Sequence, residues 1–301
     1  MKISVVIPSF NAEPFIATAI ESCLNQNLRP HEVIVVDDAS SDRTVEIAKS
    51  YPAPVRVIRC EQNGGVSVAR NRGAEEATGD WIALLDADDW FLPGRFEAQI
   101  RCVEQNPEAK VIYSGFRMRE LDGRERDSVA FPLEKLRNMM RYRCAFHIST
   151  VIMKRDAFHA IDGFDTSLRR SEDYDFWLRL AAQFSMNAFA SVPEILSVYR
   201  LTPGSKSLNT LPFRAARYAA IESSGLYGLS GIQRVLWRRK VRAFTDYDIS
   251  IRLREDGSPR DLEFIFRSLL LWPFPSEAIP LRRYLIAAVM LKQHIEKYLR
   301  N

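Results

Sequence analysis

The chain has 301 residues, 47% of them hydrophobic and 27% charged, which suits a folded protein with a sizeable core and excludes a disordered or fibrous one. Its net charge of +4 hides an asymmetry: residues 1–200 carry 25 Lys and Arg against 29 Asp and Glu, while residues 201–301 carry 17 against 9. The four cysteines (Cys23, Cys60, Cys102, Cys144) contain no Cys-x-x-Cys pair, so they read as reduced single thiols rather than a disulfide frame or zinc site.

Met1 and Lys2 lead directly into a short β-branched run, Ile3-Ser4-Val5-Val6-Ile7, without the pattern of a signal peptide. Asn11 is expected to cap the helix that follows, where Pro14 is tolerated in the first turn and Ile16, Ala19, Ile20, Cys23 and Leu24 recur at helical spacing. Val33 to Val36 is continuously apolar, as in a strand covered on both faces. Asp42 opens a short helix, Val55 to Ile58 is a third strand, and Trp81 to Leu85 a fourth. Between them, Val66, Ala69, Gly73 and Ala77 line one helix face with small residues. This alternation predicts an α/β fold with a mostly parallel sheet flanked by helices, and ligands of such sheets sit beyond the carboxyl ends of the strands.

Further along, Arg117 to Asp127 reads as a charged hairpin or loop, Ser149 to Met153 as a strand, and Asp156 to Ala160 as a short helix. Glu172 to Ala182 is a helix with Phe176, Trp177 and Leu180 facing inward. From Pro212 the pattern is helical and basic, broken by Gly257-Ser258-Pro259 and by Trp272 to Pro275. Two regions are therefore expected, 1–211 and 212–301.

The strand ends carry the chemistry. Asp86, Asp88 and Asp89 crowd one turn, and such charge is costly unless a cation shares the space; hard divalent ions such as Mg2+ or Mn2+ take oxygen ligands. A solvated acidic turn is the plainer alternative. Asp37 and Asp38 end the second strand, where a carboxylate can accept hydrogen bonds from a base or ribose. Asn63-Gly64-Gly65 starts a helix whose N-terminus favours anions, and Arg70, one turn in, could reach a phosphate or a carboxylate near a metal. Glu172 and Asp173 open their helix either as dipole partners or as a general base with its neighbour. The four histidines form no ligand cluster in the sequence, and His147 is expected to cap or fill the core. Glycine-rich dinucleotide and phosphate-loop motifs are missing, as are nucleic-acid motifs, so no nucleic-acid partner is expected.

Together these segments resemble the family 2 glycosyltransferases, which have the α/β fold called GT-A. The likeness rests on Ser4 to Asn11, Val35 to Asp42, Gly64-Gly65 to Arg70-Asn71, Leu85 to Asp89 and Ser171 to Asp175, in matching order, and it covers about residues 1–205. It implies an inverting transfer from a UDP- or dTDP-sugar to a hydroxyl of a glycan or lipid-linked acceptor. Pro8 and Phe10 would flank the nucleobase and Asp38 would meet its edge. Asp86 would meet the ribose or metal-bound water, and Asp88 the divalent ion, Mn2+ or Mg2+. Asp173 would be the base, with Glu172 beside it. Tyr199 to Ser205 resembles a loop that closes over the donor, with Arg200 and Ser205 as contacts; Thr202 stands where many relatives have histidine. A nucleotidyltransferase, or a non-catalytic sugar-nucleotide-binding protein on this fold, are the alternatives.

A bilayer-spanning helix needs about 20 apolar residues. Tyr284 to Leu291 is far shorter and is flanked by Arg282, Arg283 and Lys292, so a cytoplasmic chain is expected. The basic tail with Ile279, Leu281, Leu285, Ile286, Val289, Leu291 and Ile295 resembles an interfacial helix, for docking on a membrane surface; packing on the catalytic domain or in a homodimer is the other expectation.

Overall fold

The computed structural model describes residues 1–140, 144, 146–203, 231–255, 258, 260–274 and 282–300. The chain divides into two compact units: Met1–Arg137 with Cys144–Ser205, and Asn138–Arg143 with Lys206–Asn301.

In the first unit the apolar runs become strands: β1 (Ile3–Ser9), β2 (Glu32–Asp37), β3 (Val55–Arg59) and β4 (Trp81–Leu84). β1, β2 and β4 are buried along their whole length, which is why their sequences do not alternate. They are joined by β5 (Trp90–Phe91), β6 (Val111–Arg119), β7 (Glu125–Ser128), β8 (Val151–Lys154) and β9 (Phe189–Arg200). The sheet runs β3-β2-β1-β4-β8-β6-β9-β5, with β7 paired to β6 as the hairpin of the charged segment. β8 is antiparallel to both β4 and β6, and β9 is parallel to β6. Hence β1 to β4, β6 and β9 all point one way, and their carboxyl ends gather on one edge.

The helices of this unit are α1 (Ile16–Leu24), α2 (Thr44–Lys49), α3 (Val66–Glu75), α4 (Arg95–Gln105), α5 (Leu133–Met139), α6 (Arg155–His159) and α7 (Glu172–Phe184). Asn11 does not cap α1, which starts after Phe15 with no side-chain cap. Instead Asn11 adopts φ 49°, a left-handed conformation that asparagine tolerates, and its Oδ1 accepts the Ser41 N–H at 2.9 Å. It thereby ties the loop after β1 to the loop after β2.

Ala69, Gly73 and Ala77 of the expected stripe are buried, and Ser67, Arg70 and Ala74 are buried beside them, so that Arg70 points inward. Gly73 permits the close approach: a Cβ there would lie 2.3 Å from Cγ1 of Val6 on β1. In α7, Phe176, Trp177 and Leu180 are buried as expected, and Phe176 stacks on Phe164 at 4.1 Å. Cys23, Cys60 and Cys102 are buried free thiols and Cys144 is half-buried.

The second unit contains α8 (Gly231–Glu255), α9 (Asp261–Leu271) and α10 (Arg282–Arg300). Tyr247, Ile265, Ala287 and Met290 form its core cluster. Arg283 is fully buried and its guanidinium closes the end of α9 by donating to the carbonyls of Ser268, Trp272 and Phe274. Ile279 and Leu281 lie outside the described residues. Among the described residues, no helix is long and apolar enough to cross a membrane.

Candidate active site

The common edge of carboxyl ends assembles the predicted residues of the first unit. β2 ends in Asp37 and is followed by Asp38, whose carboxylate accepts the Gly64 N–H through Oδ1 and the Gly65 N–H through Oδ2, each at 2.8 Å. Gly65 has φ 93°, a conformation that favours glycine and lets both N–H groups face one carboxylate. The anion at the N-terminus of α3 is thus a side chain of the protein, and a nucleobase edge would have to share these oxygens. Pro8 is buried within β1, and Phe10, just beyond it, is 51% exposed.

Arg70 is the hinge pin of the site. Its guanidinium is buried, donating from Nη2 to Asp86 Oδ1 at 2.7 Å and from Nη1 to Glu172 Oε1 at 3.3 Å, and it lies 5.2 Å from the Phe164 ring. Burial would disfavour its charge, but Asp86, Glu172 and Asp173 outweigh that and hold it more firmly protonated than an ordinary arginine. Arg70 therefore reaches carboxylates, the second of the two partners its position allowed, and it spans from the acidic turn after β4 to the start of α7.

At that start Ser171 sits at φ 56°, a left-handed conformation that costs a serine about 1–2 kcal/mol. Glu172 and Asp173 follow within the first turn. The Tyr174 N–H donates to Asp173 Oδ1 at 2.7 Å, and Cys144 Sγ lies 3.6 Å from Oδ2. Burial, then the charge of Glu172, push the Asp173 carboxyl up to about 6, against the opposing pull of Arg70. Asp88 is likewise pushed up to about 6, by burial and then by Asp86, with Arg200 and Arg70 opposing.

Ser149 and His147 enter the site from tertiary structure and meet Asp89 of the acidic turn. β8 runs antiparallel to β4, so the short 3-10 turn Ile148–Thr150 before it lies at the carboxyl end of β4. Ser149 Oγ accepts the Asp86 N–H at 3.1 Å and donates to Asp89 Oδ2 at 2.5 Å. Asp89 Oδ1 accepts the Arg200 N–H at 2.9 Å. Burial, followed by Asp88 and Asp86, raises the Asp89 carboxyl well above the usual range. His147 caps the turn as expected, its Nδ1 accepting the Ser149 N–H at 3.2 Å. It does belong to a ligand-like cluster, however: donor atoms of Asp86, Asp89 and His147 lie within 4.8 Å of one another. Sequence spacing concealed this because 58 positions separate Asp89 from His147.

Hydrogen bonds within the protein already reach Asp89 and one nitrogen of His147. Asp89 uses both oxygens on Ser149 and Arg200, and a His147 Nδ1 that accepts an N–H carries no proton. Burial pushes the imidazole down to about 4, so its 3.5 Å approach to Asp89 is not a charged pair. Asp86 and Asp88 supply hard oxygens and an excess of negative charge, which fits a divalent cation. The Arg200 guanidinium rests between Phe15 at 5.1 Å and Trp90 at 4.7 Å, within the electrostatic reach of Asp88. Ser205 lies outside the described residues.

A twisted α/β sheet with acidic turns converging beyond its carboxyl ends defines a GT-A type transferase. The model of glycosyl transferase family 2 matches residues 4–161, over half of the chain, which therefore belongs to that family. An uncharacterized glycosyltransferase of Haemophilus influenzae is 36% identical over 191 residues, covering 62% of this chain and 64% of its own length. The succinoglycan biosynthesis protein ExoO of Rhizobium meliloti is 29% identical over 289 residues, covering 90% and 82%. Among solved structures, S. aureus TarS 1–349 with UDP-GlcNAc superposes with a TM-score of 0.65 at 18% identity, over 94% of this chain and 83% of that one. The mannosyltransferase PcManGT of Pyrobaculum calidifontis, in complex with GDP-Man and Mn2+, gives 0.61 at 15% identity, over 96% and 84%. Both share the GT-A fold with this chain.

Removing the Arg70 charge strands two partly buried carboxylates. Arg70→Met is expected to cost about 3–5 kcal/mol of stability in urea denaturation, the range for breaking one side of a buried ion pair. A loss below about 1 kcal/mol, typical of a surface pair, would show that the bridge does not hold the site together.

Proposed function

We propose that this chain is an inverting glycosyltransferase that moves a sugar from a UDP- or dTDP-linked donor to a hydroxyl of a glycan or lipid-linked acceptor, in polysaccharide biosynthesis. The observation that supports this reading is the Arg70 bridge, which ties Asp86 to Glu172, the neighbour of Asp173. Family membership, the sugar nucleotides in the names of the TarS and PcManGT complexes, and the polysaccharide in the name of ExoO support it. We assign the chemistry to residues 1–211.

In this scheme Asp173 takes the proton of the acceptor hydroxyl on Oδ2 as the oxygen attacks the anomeric carbon, while Oδ1 stays fixed by the Tyr174 N–H. A carboxylate titrating near 6 is a competent base at neutral pH, because it is ionised yet still basic. Glu172 holds Arg70 and orients the acceptor side, while Asp38, Pro8 and Phe10 bound the pocket for the base of the nucleotide. Asp86 and Asp88 would hold Mn2+ or Mg2+ on the donor diphosphate. The ion would act there as a Lewis acid that stabilises the departing charge. Arg200 adds positive charge on the same side.

Outside the catalytic region, Leu270, Leu285, Val289 and Ile295 are exposed on α9 and α10, and residues 201–301 are strongly basic. This combination supports peripheral contact of region 212–301 with an anionic membrane surface on the cytoplasmic side, in preference to a homodimer. Cosedimentation with anionic vesicles should be strong at low salt; equal recovery on neutral vesicles, or a concentration-dependent dimer without vesicle binding, would remove that contact.

Two variants separate the roles within the cleft. Asp173→Asn should bind UDP normally while turnover of a donor and acceptor pair falls about 10²- to 10⁴-fold. The wild-type kcat/KM should rise with pH through about 6 as Asp173 loses its proton, then level off. Asp88→Ala should instead make UDP affinity the same in Mn2+ as in EDTA. Near-normal turnover of the first variant, or retained Mn2+ enhancement in the second, would reassign the base or the metal ligand.

A further inference from the structure

We infer that Asp89 is not a metal ligand but a positioning residue: with Ser149 and His147 it fastens the Tyr199–Arg200 end of β9 to the acidic turn and so sets where the Arg200 guanidinium stands beside the donor site. This deepens the glycosyltransferase reading and rests on it for the identity of the ligand.

Buried side chains of α4 hold the fastening points. α4 presents Arg95 and Gln99, both fully buried, to the chain before and within β8. Arg95 donates to the carbonyls of Ser149 and Val151, and Gln99 Nε2 donates to the Thr150 carbonyl at 2.9 Å. Three successive carbonyls are thereby pinned, which fixes the direction of the Ser149 hydroxyl. That hydroxyl sits between the Asp86 N–H and Asp89 Oδ2 and uses its single proton on the carboxylate. It locks the backbone of the acidic turn at one end and the Asp89 side chain at the other.

Asp89 then spends its other oxygen on the Arg200 N–H, 111 positions away. The residue before, Tyr199, stacks on His147 with ring centroids 4.2 Å apart and an interplanar angle of 29°. Two consecutive residues are thus held, one through its backbone and one through its ring. The Arg200 side chain continues between Phe15 and Trp90 toward Asp88. Among the described residues, β9 is the last strand, and Arg200 is its final residue. A carboxylate with both oxygens bonded inside the protein, and 1% exposed, is poorly placed to reach for an ion as well.

The test uses the full chain with trypsin, UDP and Mn2+. The Arg200–Leu201 bond is a trypsin site at the anchor itself. In Asp89→Ala, cleavage there should speed up by about ten-fold, the population change expected for losing one buried hydrogen bond. UDP affinity in saturating Mn2+ should weaken by a similar factor, while the Mn2+ concentration that half-saturates UDP binding stays within about three-fold. Tyr199→Leu, which strands no buried charge, should reproduce the faster cleavage even if Asp89→Ala fails to fold. A ten-fold or greater shift in the Mn2+ midpoint for Asp89→Ala would make Asp89 a ligand and overturn the inference. Unchanged cleavage at Arg200 in both variants, or in Tyr199→Leu where the first does not fold, would also overturn it. Failure of wild-type protein to bind UDP with Mn2+ would instead sink the nucleotide-sugar reading, while the cleavage rates would still decide whether the anchor exists.

Discussion

One buried guanidinium organises this catalytic unit. Arg70 projects from the sheet-facing side of α3 and satisfies itself on Asp86 from the turn after β4 and on Glu172 from the start of α7. Those two segments are separated by 86 positions. Each carboxylate would be costly to bury alone, and so would the arginine; together they offset one another and define a fixed distance between the acidic turn and the helix that carries Asp173. The close packing of α3 on β1, possible because Gly73 has no side chain, is what brings Arg70 to that point.

The balance of charge around Arg70 explains what remains for chemistry. Asp86, Asp88, Asp89, Glu172 and Asp173 face Arg70 and Arg200, so negative groups outnumber positive ones. The surplus shows in Asp88 and Asp173, both pushed up to about 6. For Asp88 the surplus favours a cation; for Asp173 it favours a proton acceptor at neutral pH. The same electrostatic imbalance thus gives two carboxylates different duties, because one faces Asp86 across the acidic turn and the other lies beside Glu172 at a helix start.

Much of the first unit was legible in the sequence, and the exceptions have physical causes. β1, β2 and β4 announced themselves as uninterrupted apolar runs because both faces of the sheet are covered. β9 did not, since Pro193 and Glu194 interrupt it; the sheet accommodates them where the β6 register shifts around Gly115. Asn11 looked like a helix cap because the residue type suits that position, yet its left-handed backbone turned the side chain to Ser41 instead. Arg70 was recognisable as reaching an anion, but the choice between phosphate and carboxylate depended on the tertiary placement of Glu172, 102 positions away at the start of α7. His147 was legible as a cap but not as a neighbour of the acidic turn, and neither was Ser149, because only the antiparallel insertion of β8 beside β4 brings them to Asp86 and Asp89.

Central to the site is that the acidic turn and Glu172 of α7 act through a shared cation, the Arg70 guanidinium, rather than as separate surface groups. A double-mutant cycle on Asp86→Asn and Glu172→Gln, measured by urea denaturation in the wild-type and Arg70→Met backgrounds, addresses it directly. The expected result is a coupling of about 1–3 kcal/mol in the wild-type background that disappears without Arg70. Effects that add to within about 0.5 kcal/mol in both backgrounds would contradict it.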